Sequence, residues 1–204
     1  MSPRGQVVPG LVVTVWLVCM AGAFWYFELR DQRSFESADT ALFDASQRES
    51  TAEAWLQEHA KAAASLPPIK ATVVYVYRAD CPCNRFTEPH LAKIVARYRN
   101  EGIRFVAAST ALSVTAATPG APSGLRRIDS TVENELPWVD ATPAALVYNG
   151  DGKLIYYGPY SNTAECGSSG GLVERVLDRA LRGESQSPQR FYGGGCFCSA
   201  KQRI

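Results

Sequence analysis

The chain has 204 residues and a formal net charge of +1, with 21 lysines and arginines set against 20 aspartates and glutamates. The basic residues are scattered rather than clustered, so neither the charge nor its distribution indicates a nucleic-acid partner. The length suffices for one domain with a hydrophobic core and additional segments. Six cysteines are the informative part of the composition, because cytosolic proteins seldom carry so many except for metal binding or redox chemistry.

The apolar N-terminus is the first predicted element. Residues 7–27 contain no charged side chain and end in a run of aromatic residues. A helix of this length spans roughly 30 Å, and terminal aromatic residues are typical of a membrane interface. We therefore predict a transmembrane anchor at 7–27 after a cytoplasmic tail at 1–6. A cleaved signal peptide is the alternative, because the Ala-Gly-Ala sequence at 21–23 has the form of a cleavage site.

The cysteines also bear on the compartment. All but one of them lie beyond the apolar segment, and disulfides form and persist on the oxidising side of a membrane. We therefore expect a single-pass protein of the bacterial inner membrane whose globular domain lies in the periplasm.

A spacer and a strand–helix–strand unit follow the predicted anchor. Residues 28–68 are predicted to form a helical juxtamembrane spacer that packs on the domain, because they are rich in Ala, Glu and Gln and end in two prolines. The domain itself is predicted at 69–183. It opens with a buried strand at 71–77, a helix with one apolar face at 87–100 and a second strand at 103–108. This order predicts parallel pairing of the two strands.

The second half of the domain is predicted to hold a hairpin and a final helix. Residues 109–124 lack periodicity and are predicted to form a loop, and 124–136 are compatible with a helix. An Asn-Gly-Asp-Gly turn at 149–152 separates two apolar runs, which predicts a β-hairpin. A helix with one apolar face is predicted at 171–181, and residues 184–204 form a tail that contains cysteines.

The central motif is Cys81-Pro82-Cys83, which lies between the first predicted strand and the helix that follows it. Amide groups at a helix N-terminus stabilise a thiolate, and the thiolate is the nucleophile of disulfide exchange. The motif therefore indicates thiol–disulfide chemistry. A metal site and a purely structural pair of cysteines are the alternatives.

The order of elements and several motif residues resemble the thioredoxin-like fold over roughly residues 71–182. In that family a Cys-x-x-Cys motif opens the first core helix, and a proline eight residues after its first cysteine kinks that helix. Here Pro89 stands eight residues after Cys81, which therefore matches the family's exposed nucleophile. Asn84 takes the position of the usual second cysteine, and Cys83 lies one residue early. The whole chain resembles a proteobacterial membrane-anchored thioredoxin-like family of undefined function.

The resemblance implies an α/β fold in which helices flank a central mixed sheet, with an N-terminal transmembrane helix added. It also implies that Thr142-Pro143 is the cis-proline segment of the family, which faces the cysteine motif where a substrate strand can pair. Thr142 and Pro143 are therefore expected to bind the substrate.

The predicted activity is thiol–disulfide exchange with protein thiols or disulfides in the periplasm. We expect Cys81 to be the accessible nucleophile and Cys83 to be its resolving thiol, with no organic cofactor. A Cys81–Cys83 disulfide would close a small, constrained ring, and a strained disulfide is more easily reduced. The alternative is a non-catalytic interaction module whose cysteines form structural disulfides.

Three further cysteines are auxiliary redox or structural candidates: Cys166, Cys196 and Cys198. Cys166 follows the hairpin and is expected either to reach the motif as a second resolving thiol or to form a disulfide with Cys196 or Cys198, and the disulfide is the preferred interpretation. Cys196 and Cys198 follow three glycines, so they are expected on a flexible arm that shuttles electrons to the motif or is simply anchored. Spacing alone does not determine how the cysteines are connected.

A copper- or zinc-binding assembly factor is a second class of function. Soft thiolates suit Cu(I) or Zn²⁺, and copper-delivery proteins of the same fold use two cysteines and a histidine. On a continuous helix Cys83 and His90 would be separated by roughly 10 Å of rise, which is too far for one ion. The sequence therefore predicts no metal site unless His90 lies on a loop or the tail thiols fold over the motif.

Overall fold

The structure is a computed structural model that describes residues 4–26, 32–35, 45–60, 69–110, 125–131, 136, 138–160, 171–184, 189–190 and 193–200. The chain divides into two compact units, Met1–Gln32 and Arg33–Ile204.

The first unit contains helix α1, Arg4–Phe24. Large apolar side chains of this helix, among them Leu11, Trp16 and Phe24, are exposed. None of the helices that the structure describes is long and apolar enough to cross a membrane.

The described residues beyond α1 form strands and helices in alternation. The strands are β1 (Gln32–Phe35), β2 (Ala71–Tyr77), β3 (Ile103–Ser109), β4 (Arg126–Thr131), β5 (Ala141–Thr142), β6 (Ala144–Asn149), β7 (Leu154–Gly158), β8 (Gln189–Arg190), β9 (Gly193–Cys196) and β10 (Cys198–Ser199). The helices are α2 (Ala45–Ala60), α3 (Asn84–Tyr98) and α4 (Leu172–Leu181).

A six-stranded mixed sheet with the order β4-β3-β2-β6-β7-β8 is the centre of the second unit. The strands β4, β3 and β2 are parallel, β2, β6 and β7 are antiparallel, and β8 is parallel to β7. The predicted parallel pair and the predicted hairpin are both confirmed. At the hairpin turn the Asn149 side chain accepts hydrogen bonds from the backbone amides of Asp151 and Lys153.

Side chains alternate across the sheet and form a hydrophobic core on each face. From β2, Val74 and Val76 pack on one face together with Trp55 of α2. Tyr75 and Tyr77 pack on the other face, against α3 and α4. Helix α2, predicted as part of a spacer at 28–68, therefore contributes side chains to the core of the domain.

One predicted element of the domain is wrong. Residues 126–131 form the strand β4, whereas a helix was compatible with 124–136. Parallel pairing with β3 extends the central sheet here, and such tertiary pairing overrides weak local preference. Most of the loop predicted at 109–124 lies outside the described residues.

The C-terminal tail folds back onto the domain instead of forming the expected flexible arm. Its strand β10 pairs antiparallel with β5, and β9 pairs with β1. Phe197 and Ala200 are buried in the same core cluster as Trp55. Apolar burial and backbone pairing together fix the position of the two tail cysteines.

Candidate functional site

The cysteine motif lies in a tight turn between β2 and α3. The amide of Cys81 donates to the carbonyl of Arg78, and the amide of Asn84 donates to the carbonyl of Cys81. Cys83 occupies the N-cap position of α3. Both motif sulfurs therefore lie at the N-terminus of a helix, where the peptide dipoles favour negative charge.

Asn84 holds this turn together. Its side-chain amide donates a 2.8 Å hydrogen bond to the carbonyl of Arg78, and its side-chain oxygen accepts a 3.4 Å bond from the Tyr75 hydroxyl. The residue is buried. Asn84 therefore has a positioning role at the place where the thioredoxin-like family usually has its second cysteine.

The Thr142-Pro143 segment lies directly against the motif. The peptide bond between these residues is cis, as the resemblance implied. The Sγ atom of Cys81 is 3.7 Å from the carbonyl oxygen of Thr142. The expected proximity of the cysteine motif and the cis-proline is therefore observed.

The cysteines are connected differently from the prediction. Cys81 is bonded to Cys198 and Cys83 to Cys196, with S–S distances of 2.08 and 2.11 Å. The predicted couple between Cys81 and Cys83 is wrong for this state, because each sulfur already has a partner from the tail. The disulfide preferred for Cys166 is also not the one found, since both tail cysteines are engaged elsewhere. Cys166 itself lies outside the described residues.

Burial of the four sulfur-bearing residues is uneven. Cys81, Cys83 and Cys198 are 4%, 0% and 7% exposed, whereas Cys196 is only partly buried. The expectation that Cys81 is accessible is therefore wrong for the oxidised state, in which the tail strand covers it. Cys196 is the sulfur that a second protein can approach most readily.

Backbone pairing and one guanidinium hold the tail over the motif. Cys198 lies opposite Thr142 in the strand pair, and the amide of Ala200 donates a 2.8 Å bond to the carbonyl of Asp140. Arg78 donates from Nη1 to the carbonyl of Ser199 at 2.6 Å. Its Nε also contacts a carboxylate oxygen of the exposed Asp80 at 2.6 Å.

Thr142 is a buried polar residue of β5, the strand that pairs with the tail strand β10. It is fully buried, and its Oγ1 atom has no hydrogen-bond partner among the described residues. Thr142 lies opposite Cys198 in the strand pair, and its carbonyl oxygen is 3.7 Å from Cys81 Sγ. This supports Thr142 as part of the site.

His90 of α3 contacts Glu174 of α4. Its Nε2 atom lies 3.3 Å from a carboxylate oxygen of Glu174, and both side chains are buried. Burial opposes ionisation of Glu174, but the contacts with His90 outweigh it and hold the pKa of this carboxyl below its ordinary value. Among the described residues, the converging group of metal-ligating side chains is Cys81, Cys83 and Cys198. His90 therefore joins α3 to α4 and is not part of the cysteine cluster.

The sequence interpretation missed the partnership between the two Cys-x-Cys pairs. The pairs share the same spacing, so two disulfides side by side can join them. This repeated spacing is compatible with the pairing but does not determine it. Arg78 and Asp140 were also missed. Their contacts depend on where the tail returns to the sheet, which no local pattern encodes.

Comparison with known proteins assigns the family. The model of the family described as Domain of unknown function (DUF6436) matches residues 48–200. The chain belongs to this family. The matched region of the DUF6436 chain includes most of α2, the whole sheet and both Cys-x-Cys pairs. Among curated proteins, none matches the sequence.

Several solved structures are similar to the DUF6436 domain at low sequence identity. A hypothetical protein from Sinorhizobium meliloti 1021 is similar with a TM-score of 0.52 and 16% identity, covering 67% of this chain and 81% of that one. An uncharacterised conserved protein from Geobacillus kaustophilus has a TM-score of 0.50 and 18% identity, with coverage of 66% and 78%. A secreted disulfide oxidoreductase of Mycobacterium tuberculosis has a TM-score of 0.37 and 17% identity, with coverage of 59% and 85%.

The architecture of the DUF6436 domain is thioredoxin-like. The mixed sheet carries α2 on one face and α3 with α4 on the other. A proline lies inside α3, and the cis-proline segment faces the start of that helix. The α/β class and the thioredoxin-like fold predicted from the sequence are thus confirmed.

Proposed function

We propose that this protein carries out thiol–disulfide exchange with a partner protein, using Cys81–Cys198 and Cys83–Cys196 as two linked disulfides. The observation that carries the proposal is the position of the tail. Cys198 lies on a strand paired with Thr142 and is bonded to the first cysteine of the motif. In the thioredoxin-like resemblance this is where a substrate strand pairs, so the tail takes the form of an internal substrate.

Exchange would begin at Cys196, the most accessible of the four cysteines. A partner thiolate attacks Cys196 Sγ, the Cys83–Cys196 bond breaks, and Cys83 leaves as a thiolate at the helix N-terminus. A second thiol of the partner then attacks the partner's own sulfur in this mixed disulfide and releases the Cys196 thiol. The partner leaves with a new disulfide, and this protein has gained the two electrons.

The second disulfide is reached through the first. The Sγ atoms of Cys83 and Cys198 are 3.9 Å apart, so a Cys83 thiolate lies next to the buried Cys198 sulfur. Attack there forms a Cys83–Cys198 bond and releases Cys81 as a thiolate beside Thr142, with no net change in oxidation state. The buried motif cysteine thus becomes available without direct access from solvent.

The disulfides also bear on the compartment of the proposed reaction. Disulfides form and persist in oxidising compartments, so we place the reaction in such a compartment, with the bacterial periplasm as the proposal. The partner would be a protein with an exchangeable thiol or disulfide.

A trapping experiment tests the proposal. In a background of Cys19→Ala and Cys166→Ala, the Cys83→Ala variant leaves Cys196 as a thiol that can attack an oxidised partner in the reverse of this exchange. Since no Cys83 thiolate is present to attack Cys196 and release the partner, the mixed disulfide should accumulate. After expression in the native cells and acid quenching, a reductant-sensitive adduct that maps to Cys196 is expected. The matched control is Cys83→Ala/Cys196→Ala in the same background. An absent adduct, or equal adducts in both variants, contradicts the exchange function.

A further inference from the structure

The four cysteines converge so closely that their reduced form is a candidate ligand set. The Sγ atoms of Cys81, Cys83 and Cys198 all lie within 4.8 Å of one another. The fourth, Cys196, is not a member of this group of mutually close sulfurs and is joined to it through its disulfide bond with Cys83. Two of these residues come from the turn before α3 and two from the tail, so two separate segments each contribute a pair.

The spacing of these sulfurs fits a tetrahedral thiolate site after a small rearrangement. A Zn–S distance of about 2.3 Å places neighbouring sulfurs of a tetrahedron ~3.8 Å apart. Cys83 and Cys198 already have a separation of 3.9 Å. When the two disulfides open, the bonded sulfurs must move apart to reach the same edge length, and rotation of the cysteine side chains can supply this movement.

The surroundings of the cluster suit a buried anionic centre. A tetrathiolate zinc site carries a net charge of −2, and the N-terminus of α3 favours negative charge. The Arg78 guanidinium donates to the carbonyl of Ser199, the residue next to Cys198, and so places a positive charge beside the cluster. Three of the four cysteines are nearly inaccessible to water.

We propose that the reduced protein binds one Zn²⁺ through Cys81, Cys83, Cys196 and Cys198, and that oxidation releases it. On binding, four thiols lose four protons and coordinate one metal ion. On oxidation, the four thiolates form two disulfides, the metal leaves, and two partner disulfides accept the four electrons and are reduced to thiols. Metal loading and the disulfide state therefore exclude each other, which goes beyond the proposed exchange function.

Zinc titration of the fully reduced protein under anaerobic conditions tests this inference. The wild type is expected to take up about one Zn²⁺ per chain, and Co²⁺ in its place should show thiolate-to-cobalt charge-transfer bands and tetrahedral ligand-field bands. The Cys198→Ala variant should lose affinity by more than about 100-fold, beyond the usual effect of an outer partner of a ligand. The matched controls Cys19→Ala and Cys166→Ala should bind as the wild type does.

Two further measurements keep the result interpretable if a variant folds poorly. Zinc should raise the thermal unfolding midpoint of the reduced wild type, because a ligand that binds only the folded state stabilises it, and it should leave the oxidised protein unchanged. A reduced wild type that is folded by circular dichroism but takes up no zinc overturns the inference. So does binding that survives in Cys198→Ala, or binding that is lost in Cys166→Ala. None of these outcomes affects the trapping of a mixed disulfide at Cys196.

Discussion

At the scale of single residues, Asn84 shows how the turn before α3 is maintained with only one intervening residue between the cysteines. Its side chain bonds the carbonyl of Arg78 at 2.8 Å from a buried position. A hydrogen bond from a buried side chain to the backbone contributes about 1 kcal/mol to stability. The asparagine thus stabilises the strand-to-helix junction that presents Cys81 and Cys83 to the tail.

Asn84→Ala should lower the free energy of unfolding by about 1 kcal/mol, because the bond from Asn84 to the Arg78 carbonyl disappears while the bond from the Cys81 amide remains. Denaturant unfolding of the oxidised protein measures this change. Lys93→Ala, an exposed substitution on the same helix, is the control and should stay within about 0.5 kcal/mol of the wild type. A loss for Asn84→Ala no greater than that of the control would show that the asparagine does not hold the turn.

At the scale of elements, the two disulfides form nested links between the motif and the tail. They span 117 and 113 residues along the chain. Once one of them is closed, the other closes a ring of only about six residues, 81–83 and 196–198. In the chain-entropy account a loop of more than a hundred residues contributes about 5 kcal/mol to stability, and a six-residue ring contributes about 2.

Because the two disulfides are nested, removing one of them should lower the free energy of unfolding much less than removing both. The Cys83→Ala/Cys196→Ala variant should lose about 2 kcal/mol, whereas replacing all four cysteines should lose about 7. Denaturant unfolding of both variants beside the wild type measures these losses. If removal of the one pair costs about 5 kcal/mol instead of about 2, the two links do not act on the same loop. The nested arrangement also lets one disulfide open during exchange while the other still holds the tail.

At the scale of the whole molecule, local patterns predicted the elements that depend on local chemistry. The β-branched run at 71–77, the apolar face of α3 and the Asn-Gly turn each encode their own structure, and the parallel pair and the hairpin are confirmed. The strand β4 was not predicted, because the sheet edge of β3 determines it. Pairing of Cys81 with Cys198 depends on the return of the tail from 117 residues away, which motif spacing did not indicate.

The architecture as a whole relates the tail to function. In the thioredoxin-like resemblance a substrate strand pairs beside the cis-proline, and here β10 pairs with β5 at Thr142 in a separate two-stranded sheet. The tail thereby covers Cys81 while leaving Cys196 partly exposed. We therefore expect these linked disulfides to exchange with a partner protein, and not only to hold the tail against the domain.

The reduction potential of the Cys83–Cys196 couple tests this claim most directly. The Cys19→Ala/Cys166→Ala protein is equilibrated in defined thiol–disulfide buffers, quenched by alkylation, and mapped by mass spectrometry to identify the thiols that appear first. An exchangeable couple predicts a potential more oxidising than about −250 mV, with Cys83 and Cys196 among the first alkylated residues. A potential below about −300 mV would mark the pair as a structural link and would contradict the account.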